Sequence, residues 1–211
     1  MIIETFSLGP LGTNCYILRK ENNCLIVDPG GDAEIIEQYV KEHELRPQAI
    51  LLTHAHFDHI GAVDEIRKKY DIEVYLHENE QDWLEDATLN RSALFLNGGF
   101  TTTKPEKLLI PGKLTIDTFS CEVVHTPGHS PGSVSFIFKD EQFVVSGDVL
   151  FNRGIGRTDL PEGSIEQLAN SIVTHLYTLP DDMIVYPGHG PSTVIGQEKR
   201  NNPFTLQFYR E

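Results

Sequence analysis

The run Thr53-His-Ala-His-Phe-Asp-His59 packs three imidazoles and one carboxylate into a short stretch, directly after the apolar run Ala49-Ile-Leu-Leu52. Side chains of those types at that density suit the binding of a metal ion. If the chain is still extended as it leaves a strand, His54 and His56 point the same way and can share one ion. Asp58 and His59 are adjacent and should diverge in the turn that starts the next helix, which suits them to a second ion. Four side chains cannot complete two sites. Three more candidates stand where an apolar run meets a Gly-rich turn: His129 in Thr126-Pro-Gly-His-Ser-Pro-Gly132, Asp148 in Val144-Val-Ser-Gly-Asp148, and His189 in Tyr186-Pro-Gly-His-Gly-Pro191. A carboxylate has two oxygens, so Asp148 is the natural bridge between two ions.

The chemistry of such a centre is hydrolytic. A divalent ion such as zinc lowers the pKa of a bound water from about 15.7 to about 7, so no side-chain nucleophile is needed. None is visible, since Ser130 and Ser146 lack a Gly-x-Ser-x-Gly context.

The order His-x-His-x-Asp-His, an isolated His, an Asp after a strand and a last His resembles the ligand order of the metallo-β-lactamase superfamily, and the resemblance runs from Asn14 to Pro191. Gly147-Asp-Val-Leu-Phe-Asn-Arg-Gly-Ile-Gly-Arg157 looks more narrowly like the glyoxalase II branch of hydroxyacyl-thiol hydrolases. The resemblance implies an α/β fold, the four-layer αββα sandwich, with the site at one edge between two packed sheets. It implies that His54, His56, Asp58, His59, His129, Asp148 and His189 hold two divalent metal ions, zinc in the first place, with iron or manganese also compatible. The implied reaction is cleavage of a hydroxyacyl thioester, such as S-lactoylglutathione or a related acyl-thiol, with Asp58 orienting the attacking water. A simple thiol has a pKa of about 8.5, so its thiolate leaves without a proton donor, whereas a lactam amine does not. In the family, the Asp corresponding to Asp28 orients a metal-bound imidazole; a plain Asx-turn before Pro29-Gly-Gly31 explains Asp28 equally well. Full-length glyoxalase II enzymes carry a further C-terminal helical region with basic residues for glutathione. Here Lys199 and Arg200 are the one basic pair after His189, which favours a short-form hydrolase acting on another acyl-thiol.

Two other functions stay open. Gly156-Arg-Thr-Asp159 also resembles the persulfide dioxygenases of the superfamily, which hold one iron through two His and one Asp, here His54 or His56 with His129 and Asp148. Arg157 and Asp159 could equally form a structural ion pair. A non-catalytic metal-binding module on the same fold is the third reading. The other histidines, His43, His77, His125 and His175, read as structural, His125 being a candidate to support a ligand.

The whole chain bounds these readings. Its 211 residues read most simply as one domain over 1–211. A formal net charge of -14, with Lys68-Lys69 (beside Arg67) and Lys199-Arg200 as short, separate basic stretches, argues against nucleic acid as a partner. Bound cations reverse the sign locally, so a small anionic substrate remains acceptable. With no long apolar segment and no basic stretch before Ile2-Ile3, neither a membrane span nor a secretory signal is expected, and the expected location is the cytoplasm. Cys15, Cys24 and Cys121 form no Cys-x-x-Cys pair, lie in apolar stretches, and read as small buried hydrophobes. No pairing pattern reveals an oligomeric state.

The elements that must position the ligands are short. Ile2–Phe6, Cys15–Leu18, Cys24–Asp28 and Ile50–Leu52 read as strands, and a helix with Ile35, Ile36, Tyr39 and Val40 on one face starts at Asp32 as N-cap. Cys121–His125, Val134–Phe138, Phe143–Ser146 and Met183–Tyr186 read as strands in the second half. Ser164-Ile-Glu-Gln167 has capping-box form and opens a helix with Ile165, Leu168, Ile172 and Leu176 on one face. Gly128, Gly147 and Gly188 are expected to let the backbone turn beside a ligand. The stretch from Asp86 to Pro105, rich in Asn, Gly and Thr, is either a wall of the substrate pocket or a solvated loop.

Overall fold

The early apolar runs pair in sequence order. In the computed structural model, which describes residues 1–209, β1 (Ile2–Leu8), β2 (Thr13–Lys20), β3 (Asn23–Val27), β4 (Arg46–Leu51), β5 (Glu73–His77) and β6 (Lys107–Leu109) form one six-stranded sheet in the order β1 to β6. The first three strands are antiparallel, and β3 to β6 run parallel. Parallel neighbours need crossovers, which α1 (Ala33–Glu42), and α2 (Phe57–Ile60) with α3 (Val63–Tyr70), provide. Strands in such a position read as unbroken apolar runs. Cys24–Val27 and Ala49–Leu51 are accordingly buried, and Ile36, Val40, Ile60, Val63 and Ile66 of the helices join Ile26, Ile50 and Val74 in one core.

The second half forms another six-stranded sheet, in the order β14-β13-β10-β9-β8-β7, from β7 (Gly112–Ile116), β8 (Phe119–His125), β9 (Val134–Phe138), β10 (Phe143–Gly147), β13 (Ile184–Pro187) and β14 (Thr193–Val194). A small hairpin of β11 (Leu150–Phe151) and β12 (Gly154–Ile155) follows β10. A short helix, α4 (Ser92–Phe95), lies in the 86–105 stretch, and α5 (Ile165–Ser171) and α6 (Ile195–Asn201) lie in the second half. Ser164 caps α5 as expected, its hydroxyl accepting the Gln167 N–H at 3.2 Å. Leu168, Ile172 and Leu176 are buried with Val144, Met183 and Val185, while Ile165 stays 48% exposed.

By packing, the chain divides into two units, one of Met1–Ile110 and Thr115–Ser120, the other of Pro111–Leu114 and the chain from Cys121 onward. No helix among the described residues is long and apolar enough to cross a membrane.

Two expectations change in detail. Asp32 does precede α1, but in a left-handed conformation (φ 47°) and without capping it; its Oδ2 accepts the Gly9 N–H at 2.7 Å instead. Ile35 is on the outer side of α1.

The three cysteines are free and buried. Burial pushes the Cys24 and Cys121 thiols up to about 12, and raises that of Cys15 well above its ordinary value. Thiolate is the reactive form, so Ellman's reagent is expected to label none of them in the folded protein and all of them in denaturant. Rapid labelling without denaturant would contradict their burial.

Candidate metal centre

Five of the candidate ligands stand in turns that follow a strand, and Asp58 and His59 stand in α2, the short helix that the turn after β4 leads into. In the first unit, β3 and β4 are parallel and paired Val27 to Leu51, so the residues that leave their ends emerge side by side. Asp28 therefore meets Thr53. Its Oδ1 accepts the Thr53 N–H at 2.8 Å, and its Oδ2 accepts both the Thr53 hydroxyl at 2.6 Å and His59 Nδ1–H at 2.9 Å. Because the Thr53 proton goes to Asp28, the Thr53 oxygen can only accept from His54 Nδ1, 3.1 Å away. One buried carboxylate thus sets the tautomer of two imidazoles, directly for His59 and through Thr53 for His54. In both rings Nε2 is left for a ligand role. The Asx-turn alternative for Asp28 is not what its oxygens do.

His54, His56, Asp58 and His59 are all buried, and they cluster. The His54 ring lies 4.7 Å from that of His56 and 4.1 Å from that of His59, centroid to centroid. Asp58 and His59 do not diverge: their Oδ2 and Nε2 come within 3.6 Å, because Asp28 holds the ring while the Thr13 hydroxyl donates to Asp58 Oδ2 at 2.9 Å. The close pass of Gly30 leaves no room for a side chain there; an added Cβ would sit 2.0 Å from the Asp58 carbonyl oxygen.

The second unit uses the same device. β10 and β13 are parallel and paired Gly147 to Pro187, so Asp148 and the turn of His189 emerge together, and the Gly188 N–H donates to the Gly147 carbonyl at 2.9 Å. Gly147 has a φ of 53° at the turn into Asp148. Asp148 Oδ2 stands 3.5 Å from His129 Nε2 and 3.6 Å from His189 Nε2, one carboxylate oxygen facing two imidazoles. His129 Nδ1–H donates to the Arg157 carbonyl at 2.8 Å, which fixes its tautomer. Its turn is held by α5: Gly128 (φ 132°) passes so close that a Cβ would lie 2.2 Å from Leu168 N, and the Ser164 N–H donates to the Gly128 carbonyl. His125 Nε2 bonds the Pro131 carbonyl of the same turn at 2.8 Å, a supporting role.

These separations suit an ion. At 3.5 to 3.6 Å the facing atoms are too far apart for a good hydrogen bond to each other. Two ligands each about 2.1 Å from one tetrahedral ion stand about 3.4 Å apart. The donor set of imidazole and carboxylate fits zinc, iron or manganese.

Other residues singled out by sequence have different roles. Arg157 and Asp159 form a bidentate ion pair at 2.7 and 2.8 Å on the surface, and that bond holds the Asp159 carboxyl at about 2. What Arg157 gives the cluster is its main-chain carbonyl. Lys199 and Arg200 both pair with Asp181, at 2.7 and 3.2 Å. The 86–105 stretch folds back through Asn90, whose carbonyl accepts the Phe57 N–H, and the half-exposed Phe95 stacks on Phe57 at 5.3 Å. Sequence reading missed Thr13, Gly30, Gly156 and the Arg157 carbonyl. A Cβ on Gly156 would lie 1.9 Å from the Asp148 carbonyl oxygen.

A family model described as the metallo-beta-lactamase superfamily matches residues 8–189, which contain all seven candidate ligands. A probable metallo-hydrolase of Bacillus subtilis, YqgX, is 55% identical over 95% of this chain and 96% of its own. The hydroxyacylglutathione hydrolase GloC of Haemophilus influenzae is 38% identical over 97% and 98%. Among solved structures, the B3 metallo-beta-lactamase BLEG-1 is 51% identical with a TM-score of 0.93, over 97% of this chain and 99% of that one. TTHA1623 in a di-iron-bound form is 38% identical with a TM-score of 0.85, over 95% and 99%.

Proposed function

The chain belongs to the metallo-β-lactamase superfamily and has its α/β fold of mixed sheets flanked by helices, and from that footing we propose a binuclear metal-dependent hydrolase of hydroxyacyl thioesters. The observation that carries this reading is the repeated 3.5 to 3.6 Å spacing between facing imidazole and carboxylate atoms. In this reading His54, His56 and His129 hold one divalent ion, Asp58, His59 and His189 hold the other, and Asp148 serves both. Zinc or iron suits these donors, and a relative bound to two irons supports a pair of metals. When bound, the ions would supply a water acidified toward neutrality and an electrophile for the carbonyl oxygen.

The chain's own residues supply the order. Asp28 and the Arg157 carbonyl keep three imidazoles in the tautomer that presents Nε2, and Thr13 fixes the carboxylate of Asp58 that would orient the attacking water. A thiolate leaves without a proton, since a simple thiol has a pKa of about 8.5. The substrate class is therefore a thioester, S-lactoylglutathione or a related acyl-thiol, cleaved to acid and thiol.

GloC supports glutathione as the carrier. Its alignment covers 98% of its own length, so a longer C-terminal region is not what sets apart the relative named for glutathione. Lys199 and Arg200 are committed to Asp181, so carrier recognition falls to other groups. The relative described as a B3 metallo-beta-lactamase favours a second reading, β-lactam hydrolysis at the same centre.

Rates on S-D-lactoylglutathione, other acyl-thiols and a chromogenic cephalosporin, with oxygen uptake on glutathione persulfide, separate the readings. Preference for a thioester by kcat/KM is the expected result. Preference for the cephalosporin, or oxygen uptake with persulfide, would sink it.

A further inference from the structure

The loop bearing His54 and His56 is gripped, residue by residue, by a segment that no ligand motif marks. At the end of β5, His77 Nδ1 accepts the Asn79 N–H at 3.3 Å, and the chain turns through one 3-10 turn, Glu78–Glu80. That turn puts the Glu80 side chain, fully buried, under the metal loop, where Oε2 accepts the Ala55 N–H at 2.6 Å. Three residues later the buried Trp83 packs against the ring of His56, with centroids 5.7 Å apart and planes at 35°. The Arg91 guanidinium covers Trp83 from 4.9 Å. The Asn90 carbonyl then takes the Phe57 N–H at 2.8 Å. Ala55, His56 and Phe57 are thus each held by one residue of the segment 80–90.

Glu80 is the costly member of this set. Burying a carboxyl group is unfavourable unless it is well hydrogen-bonded, and the peptide of Ala55 could have been satisfied by a neutral acceptor. A carboxylate oxygen accepts a shorter and stronger bond than a neutral one. The peptide it holds is the link between two ligand imidazoles. Rotation of that peptide swings His54 and His56 relative to each other, so an acceptor fixed beneath it sets their mutual geometry before any ion arrives.

We propose that Glu80 is a positioning residue, which holds the His54–His56 segment in its metal-binding geometry through the Ala55 N–H. The inference rests on the reading that these two histidines hold a metal. It adds a third support to those of Asp28 and Arg157, one that acts on backbone where the others act on the rings. Groups that orient metal ligands typically set affinity by about 10- to 100-fold.

The test uses metal-free full chain, wild type and Glu80→Ala, Glu80→Gln and Glu80→Asp, titrated with Zn²⁺ against a chelating dye and with Co²⁺ by visible absorption. Thermal midpoints of the metal-free forms are the control. Glu80→Ala should bind Zn²⁺ about 10- to 100-fold more weakly and shift the Co²⁺ bands. Glu80→Asp keeps the charge but pulls the oxygen back by one methylene, and should behave like alanine. Glu80→Gln keeps an oxygen at the right length and should recover most of the affinity. If the alanine variant does not fold, the Asp and Gln pair decides by the same contrast. Wild-type affinity and Co²⁺ spectrum in the folded Ala or Asp variant, with only a lowered thermal midpoint, would overturn the proposal. Failure of the wild-type chain itself to bind either ion would instead remove the metal reading on which it stands.

Discussion

Replacing His129 by alanine is expected to abolish both turnover and full metal loading while leaving the chain folded. Its imidazole is buried, stands 3.5 Å from Asp148 Oδ2, and has its tautomer set by the Arg157 carbonyl. The turn that carries it does not depend on the ring. Ser171 donates to the Pro127 carbonyl at 2.7 Å, Ser164 N–H donates to the Gly128 carbonyl, and the backbone of Gly128 lies against that of Leu168. Loss of a residue that merely orients a ligand costs about 10- to 100-fold in affinity, so loss of a ligand should exceed about 100-fold. Metal analysis by plasma mass spectrometry, beside the thioester assay, reads both effects. A variant that stays active and fully loaded would remove His129 from the centre.

The second large effect falls on a residue that touches no ion. Asp28→Asn keeps the size of the side chain but offers an amide N–H toward groups that are themselves donors, His59 Nδ1–H and the Thr53 hydroxyl. To relieve that clash His59 must carry its proton on Nε2, the atom it would otherwise offer to a metal. Thr53 loses its acceptor at the same time, and with it the grip on His54 Nδ1. Asparagine should therefore be nearly as harmful as alanine, each lowering zinc affinity by about 10- to 100-fold. Calorimetric titration of the metal-free variants with Zn²⁺ checks this. An asparagine variant with unchanged affinity would mean that Asp28 is only a turn residue.

The candidate ligands were legible in the sequence because imidazoles are scarce, and several of them beside strand-ending turns have little other use. Val134–Phe138 was legible to the residue because its β-branched and aromatic residues, interrupted only by Ser135, suit a buried strand. What supports the ligands was legible only in part: the resemblance pointed to Asp28 without saying which imidazole it holds, and Thr13, Glu80 and the Arg157 carbonyl left no mark. Asp28 to His59, Thr13 to Asp58, Glu80 to Ala55 and Arg157 to His129 join residues 25 to 45 positions apart. Such bonds have no period, and they follow from sheet register: β3 beside β4 brings Asp28 to Thr53, and β10 beside β13 brings Asp148 to the turn of His189. Periodicity also overreached at Ile35 and Ile165, which extend apolar stripes at helix starts yet are 40% and 48% exposed. Asp32 shows a related limit, since a cap-forming residue at a helix start can find a better donor elsewhere, here Gly9.

The most direct test of a binuclear thioester hydrolase is to add Zn²⁺ or Fe²⁺ stepwise to the metal-free chain while following hydrolysis of S-D-lactoylglutathione. The rate is expected to rise to a plateau at two equivalents of ion per chain, because Asp148 Oδ2 faces both His129 and His189. A plateau at one equivalent, or no thioester turnover at any loading, would contradict it.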